Sequence, residues 1–217
     1  MDLLPEEDKP TAWFDPLYAG ADEEGTGVPW ANMATHPGFD AWLAKNALDG
    51  KCKTALIVGC GMGDDAIELA SHGFSVTAFD VSDAAIAHCR RRFPDISVDF
   101  RVADLFNPPS KWKRRFDFLL EIYTIQALPP KYEQNVIGKI ADFVRETGQL
   151  VTVAIVSDEP RTFESGPPWA LTPGHQTAFV QQGLTLTDHQ ILSGASRRGN
   201  DLWVSTLTRP CPDSAVQ

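Results

Sequence analysis

Gly59, Cys60, Gly61 and Gly63 fall within five residues, directly after the apolar run Thr54–Val58 and directly before a helical pattern over Asp64–Ser71. Glycines this closely spaced allow positive φ and leave no Cβ in the way, so a ligand can lie against the backbone where the chain turns into a helix. The next apolar run, Phe74–Phe79, ends in Asp80 and Val81. A carboxylate at the end of that second strand sits where the ribose of a bound nucleoside lies. The dinucleotide fingerprint needs a third glycine or alanine where this chain has Asp64, whose charge repels a pyrophosphate. The spacing therefore fits a phosphate-free ligand whose carboxylate, amine and ribose lie across the turn. A second polar pair, Glu121 and Tyr123, follows the apolar run Phe116–Leu120. At the carboxyl end of a central strand both would face the binding crevice, as candidates for positioning or deprotonating a reacting group.

The elements that must position these residues alternate along the chain. Thr54–Val58 suits a strand buried on both faces, and Asp64–Ser71 a helix with Ala66, Ile67, Leu69 and Ala70 inward. Ser82 is placed as an N-cap for a helix with Ala85, Ile86 and Cys89 inward, and Arg90, Arg91 and Arg92 read as its solvated end. Ile96–Val102 reads as a strand near the sheet edge, Phe116–Leu120 as the next strand and Lys131–Glu146 as a helix stopped by Thr147-Gly148-Gln149. Leu150–Val156 is a fifth strand. A long irregular segment, 157–173, leads to a helix near Thr172–Gln182 on which His175 reads as a surface histidine. Leu184–Leu192 and Asp201–Thr208 alternate at period two about a glycine-rich turn, which predicts a terminal antiparallel hairpin. Upstream, Pro37–Leu48 reads as an amphipathic helix.

The stretch IVGCGMGDDAIELASHGFSVTAFDVSDAAI resembles the first half of a class I S-adenosylmethionine-dependent methyltransferase. More narrowly, Glu121, Tyr123 and the run Ala127-Leu128-Pro129-Pro130 after them are similar to the thiopurine, thiol and halide methyltransferase group. That group carries a Pro-Trp element ahead of the fold and a Gly-Pro-Pro-aromatic stretch late in it, here Pro29-Trp30 and Gly166-Pro167-Pro168-Trp169. The resemblance implies an α/β, Rossmann-like sheet of seven mostly parallel strands closed by an antiparallel hairpin. It implies S-adenosyl-L-methionine as cofactor, with S-adenosyl-L-homocysteine as product. Cofactor contacts would come from Trp30, Gly59, Cys60, Gly61, Gly63, Asp80, Val81 and Glu121, with Asp104 on the adenine amino group and Leu105 against the ring. Asp104 has a second reading as a loop cap. Thiopurine enzymes tend to have arginine just after the acid where this chain has Ile122, which removes a partner for a polar heterocycle.

Trp13, Tyr18, Tyr123, Phe163 and Trp169 are the candidate acceptor-binding residues. The aromatics Trp13–Tyr18 and Trp30 either cover an edge of the core or form a lid over a sulfonium, whose charge aromatic faces attract. Displacement at a methyl carbon needs mainly orientation and desolvation, so a thiol, halide or related soft acceptor needs no base. A phenol or quinol would, with Glu121 and Tyr123 as candidates. Two readings of other classes are a nicotinamide-dependent oxidoreductase and a non-catalytic cofactor-binding module.

Across 217 residues, 43% hydrophobic and 22% charged, the chain reads as a single domain over 13–209, with 13–50 as lid and helix, between a loosely held 1–12 and a tail at 210–217. The formal net charge of −10 argues against nucleic acid. No apolar run approaches a membrane span and the acidic start lacks a signal-peptide pattern, so a cytoplasmic protein with a small-molecule partner is expected. The four cysteines and five histidines show no metal-ligand spacing.

Overall fold

The computed structural model describes residues 5–159 and 161–211. Seven strands, β1 (Thr54–Val58), β2 (Ser75–Asp80), β3 (Val98–Val102), β4 (Phe116–Ile122), β5 (Val144–Ile155), β6 (Thr185–Leu192) and β7 (Leu202–Thr208), form one sheet in the order β3-β2-β1-β4-β5-β7-β6. The first five are parallel, and β7 runs antiparallel to both β5 and β6. The strand order reverses between β1 and β4, so the loops after these two strands open the crevice where ligands bind in open α/β sheets. The expected mostly parallel sheet with a terminal antiparallel hairpin is borne out.

Both faces of the sheet are buried, by two apolar clusters. One, around Leu56, Leu119, Leu150 and Phe143, includes Trp13, Phe14 and Tyr18 from ahead of the fold. The other, around Phe39, Trp42, Ile57 and Phe118, packs α2 (Pro37–Leu43), α3 (Asp64–Ser71) and α4 (Asp83–Arg92). Ser82 caps α4 as expected, its side chain accepting from the Ala85 N–H at 3.1 Å.

Several boundaries differ from the sequence expectation, each for a local reason. The helix from Pro37 stops at Leu43 because the Asn46 side chain donates to the Trp42 carbonyl at 2.8 Å, while the Trp42 indole is held by Thr206 Oγ1 at 2.8 Å. The helix before β5, α5 (Glu133–Phe143), ends early because the N–H groups of Arg114 and Arg115 take the carbonyls of Asp142 and Phe143, drawing Val144 into pairing with Phe116. Phe14–Ala19, expected only as an aromatic segment, is a short helix, α1. It is docked on α4: Asp15 Oδ1 accepts from Ser82 Oγ at 2.7 Å and from the Ala84 N–H at 3.0 Å.

The arginines ending α4 do more than meet solvent. Arg90 donates to the Phe100 carbonyl, and Arg92 reaches back to the glycine turn. His175, expected at the surface, is 1% exposed on α6 (Gly174–Gln181). Its Nδ1 lies 2.7 Å from the Thr172 carbonyl, which can only accept, so the ring proton sits on Nδ1.

Candidate functional site

The turn after β1 is built as its glycines require. Gly59, Gly61 and Gly63 all have positive φ, at 63°, 51° and 90°. At Gly61 the space is also taken: a Cβ there would lie 2.9 Å from the Tyr18 hydroxyl. Asp80 fixes the turn from β2, its Oδ2 accepting from the Gly61 N–H and its Oδ1 from the Ser82 N–H, both at 3.0 Å. Each carboxylate oxygen keeps a second lone pair for a ligand hydroxyl. Burial raises the Asp80 pKa, with the backbone N–H groups opposing it. From the far side of the turn, Arg92 donates to both oxygens of Asp64, at 2.7 and 2.8 Å, and to the Met62 carbonyl at 2.5 Å. The Asp64 charge is thereby paired, so repulsion of a pyrophosphate by it is weaker than the sequence implied.

Above the turn lies a cavity of about 660 Å³, within the roughly 300–1,000 Å³ typical of small-molecule sites. One part of its wall is apolar: Trp13, Phe14, Leu17, Phe79, Val81, Leu105 and Phe106. Another carries Asn32, His36, Ile122, Tyr123, Gln126, Pro167, Pro168, Arg197 and Arg198. Gly59, Trp30 and His36 line both this cavity and a cleft of about 70 Å³ beside Cys60, Gly61, Met62 and Gly63. Trp30 is held by its neighbours: its indole N–H donates to the Tyr18 hydroxyl at 2.8 Å, and it meets Trp13 edge-on with ring centroids 5.6 Å apart. Trp13, Phe14 and Tyr18 thus cover the core and line the cavity together.

The remaining candidates are placed as follows. Asp104 is exposed, its Oδ1 accepts from the Phe106 N–H at 2.8 Å, and it does not line the cavity, although Ala103, Leu105 and Phe106 do. Phe163 and Trp169 stack on each other 5.8 Å apart behind the wall, where the Trp169 indole donates to the Phe163 carbonyl and its backbone N–H to the Gln126 carbonyl. They support the loop that presents Pro167 and Pro168. Cys60 is near Cys89, and hydrogen bonding from Cys89 and burial push its thiol pKa up, so it stays a thiol. Glu121 is 1% exposed and is not among the residues lining the cavity. Its Oε1 accepts from the Ile125 N–H at 3.1 Å, while its Oε2 and the Oγ1 of Thr152, paired in register across β5, have no partner among the described residues. Burial raises the Glu121 pKa to about 7.

His36 is the site residue that sequence reasoning missed. It N-caps α2, its Nδ1 accepting from the Gly38 N–H at 3.1 Å, and its ring meets Tyr123 edge-on at 4.9 Å. Burial lowers its pKa to about 4. With Nδ1 accepting, the proton of the neutral ring is on Nε2, and His36 offers the cavity a donor. A His-Pro pair just ahead of an amphipathic pattern was the available signal. Among the described residues no three His, Cys, Asp or Glu converge as a metal site requires, and no helix is long and apolar enough to cross a membrane.

Residues 55–148 match a family described as a methyltransferase domain. A curated relative, the probable thiol methyltransferase 2 of Arabidopsis thaliana, is 22% identical over 150 residues, which are 64% of this chain and 63%, just under two thirds, of that protein. Among solved structures, one concerns the conversion of a disulfide bond into a thioacetal group during echinomycin biosynthesis. It is similar with TM-score 0.71 at 23% identity, covering 94% of this chain and 95% of that one. The N-methyltransferase NodS of Bradyrhizobium japonicum, solved with S-adenosyl-L-homocysteine, has TM-score 0.69 at 17% identity over 91% of this chain and all of its own, 100%. The 1,6-didemethyltoxoflavin-N1-methyltransferase of Burkholderia thailandensis has TM-score 0.63 at 19% identity, over 81% of this chain and 77% of its own. Residues 55–148 are thus similar to a methyltransferase domain, and the sheet of the whole chain has the fold of the class I methyltransferases it resembles.

Proposed function

We propose that this chain transfers a methyl group from S-adenosyl-L-methionine to a small acceptor whose nucleophilic atom is soft and reaches the site already anionic, a thiolate or halide above all. When bound, the cofactor supplies a methyl carbon on a sulfonium, open to displacement in line with the carbon–sulfur bond. The glycine turn fits it: three positive-φ glycines keep side chains off a turn that Asp80 ties down through the Gly61 N–H, and Gly59 and Asp80 both line the cavity beside it. Asp80 is assigned to the ribose hydroxyls, Leu105 and Phe106 to the adenine ring, and Trp30 with the turn to the methionine end. Asp104, which caps the Phe106 N–H and does not line the cavity, is left out of this assignment.

The observation that carries the acceptor class is the lack of a competent base on the described cavity wall. His36 is neutral with its lone pair on the Gly38 N–H. Burial pushes the Tyr123 phenol up to about 12. Both oxygens of Asp80 accept backbone N–H groups, and Glu121 lies behind the wall. A hydroxyl acceptor would have to lose its proton to one of these groups. A thiolate or halide has none to lose, and for it positioning and desolvation in an aromatic-walled cavity supply most of the acceleration. Glu121 and Tyr123 then act as positioning groups, Glu121 by holding the loop 124–127 through the Ile125 N–H. The description of the curated relative as a probable thiol methyltransferase, and the disulfide-to-thioacetal conversion of the echinomycin structure, support the same reading.

The test is transfer of isotope-labelled methyl to a panel of hydrosulfide, iodide, thiophenol, a thiopurine, catechol and a quinol. Turnover of the sulfur and halide members is expected. Turnover of catechol or quinol alone would replace this reading with O-methylation, and binding of the cofactor without turnover of any member would favour a non-catalytic module.

A further inference from the structure

The chain has a formal net charge of −10, yet among the described residues the one carboxylate on the cavity wall is Asp80, whose oxygens already accept two backbone N–H groups. Two arginines line that cavity, Arg197 and Arg198, both on the turn between β6 and β7. Their situations differ. Arg197 donates from Nη1 to the Ala31 carbonyl at 2.6 Å, clasping the turn against the segment that brings Asn32 and His36 to the wall. Arg198 is exposed and has no hydrogen-bond or ion-pair partner among the described residues. Neither arginine lines the small cleft along the glycine turn, so their charge is presented to the large cavity and not to that turn. His36 also lines the cavity, and its Nε2–H has no hydrogen-bond partner among the described residues.

We infer that the acceptor carries an anionic group, a carboxylate or sulfonate, at the end remote from its nucleophilic atom, and that Arg198 pairs with it at the cavity rim. This rests on the proposed methyl transfer for the identity of the ligand as an acceptor. A guanidinium meets a carboxylate through two parallel N–H donors, which orients the molecule as well as attracting it. Arg197 keeps the turn in place and so sets where that fork stands. An exposed cation of this kind acts on encounter and affinity and leaves the chemical step alone. The substrate class is thus an organic thiol bearing a carboxylate, its apolar body against the aromatic wall.

The experiment compares 4-mercaptobenzoate with thiophenol in the wild type, Arg198→Ala and Arg198→Lys. For 4-mercaptobenzoate, Arg198→Ala raises KM about tenfold with kcat unchanged, while thiophenol kinetics stay as in the wild type. Arg198→Lys recovers part of the loss, and the advantage of the carboxylate shrinks as sodium chloride is raised. Calorimetric binding of 4-(methylthio)benzoate in the presence of S-adenosylhomocysteine reads the same contact without turnover. Equal use of the two thiols, with product-analogue binding unaffected by Arg198→Ala, overturns the anion site while leaving methyl transfer standing. No turnover of any thiol, with binding still weakened about tenfold by Arg198→Ala, overturns the proposed transfer and supports the anion site. A raised KM for S-adenosylmethionine in Arg198→Ala would put the guanidinium on the cofactor's own carboxylate and overturn the inference.

Discussion

The Tyr18 hydroxyl accepts the Trp30 indole N–H at 2.8 Å and stands where a Cβ on Gly61 would come within 2.9 Å of it. One phenol from α1 therefore sets both the roof of the cavity and the clearance over the glycine turn. Tyr18→Phe leaves the indole donor unmatched in a part-buried site, at a cost of about 1–2 kcal/mol. The expected outcome is several-fold weaker binding of S-adenosylhomocysteine, measured by quenching of tryptophan fluorescence, with thermal stability lowered by a few degrees. Unchanged affinity would show that Trp30 is held by its ring neighbours alone.

Gly61→Ala attacks the same clearance from below. The backbone there has φ of 51°, so alanine brings strain of about 1–2 kcal/mol and pushes the Tyr18 hydroxyl away. The KM for S-adenosylmethionine should rise more than that for the acceptor. Combining Gly61→Ala with Tyr18→Phe removes the hydroxyl that clashes, so the double variant should lose less than the two single losses added together; strict additivity would contradict the shared contact.

Glu121 makes folding pH-dependent in a defined direction. Burial raises its pKa from 4.5 to about 7 in the folded chain, the Ile125 and Thr124 N–H groups opposing that rise. The folded state therefore holds the proton more tightly than the unfolded chain. The associated stability is present in full below the unfolded pKa and is lost as pH rises through about 7, amounting to about 3 kcal/mol at most. Glu121→Gln abolishes that loss. Denaturant titrations from about pH 5 to about pH 8 should show the variant gaining on the wild type as pH rises, and a constant difference would mean that the carboxyl titrates normally.

The sheet, the glycine turn, the Ser82 cap and the terminal hairpin were legible because each rests on a local rule: β-branched runs, closely spaced glycines, a capping hydroxyl, period-two alternation. The docking of α1 was not. Pro16 and the aromatics from Trp13 to Tyr18 have no helical signature of their own, and the helix is fixed by Asp15 reaching Ser82 and Ala84, 67 and 69 residues away. Burial of His175 and the loss of solvent around Arg92 are likewise long-range outcomes. At the site, Gly59, Asp80 and Tyr123 line one cavity, with Trp30, which only the resemblance placed there, and Gly61 lines the small cleft beside it. Glu121, two residues before Tyr123, lies behind the wall. His36 was signalled only by the His-Pro pair ahead of α2, because its role depends on which ring nitrogen the Gly38 N–H occupies.

That tautomer bears on the pH dependence of turnover. With no enzyme base, kcat/KM for thiophenol should follow ionisation of the thiol itself, rising with pH to a plateau set by the acceptor. Replacing thiophenol by a more acidic thiol should shift the profile to lower pH. Tyr123→Phe should keep kcat for a thiolate within about threefold, whereas loss of a true general base costs about 10²-fold or more. His36→Asn, which keeps an acceptor for the Gly38 N–H and removes the Nε2 donor, should raise the acceptor KM and leave the profile unshifted.

The ion pair that closes the glycine turn from outside gives a prediction separable from the acceptor. Arg92 joins α4 to the turn by three hydrogen bonds, two to Asp64 and one to the Met62 carbonyl, with the Arg92 and Asp64 side chains about one-sixth exposed, at 17% and 15%. Arg92→Ala leaves the Asp64 carboxylate unpaired beside the turn, and part-burial puts the cost near about 2 kcal/mol, below that of a fully buried pair. Arg92→Lys keeps the charge but loses the fork, so it should recover stability without recovering the geometry of the turn. Cofactor affinity should therefore fall in both variants while unfolding free energy falls mainly in Arg92→Ala. Asp64→Asn with Arg92→Ala should be more stable than Arg92→Ala alone, because the uncompensated charge is gone. If the double variant were the less stable of the two, the Asp64 charge would not be the source of the loss, and the carbonyl of Met62 would be the contact that matters.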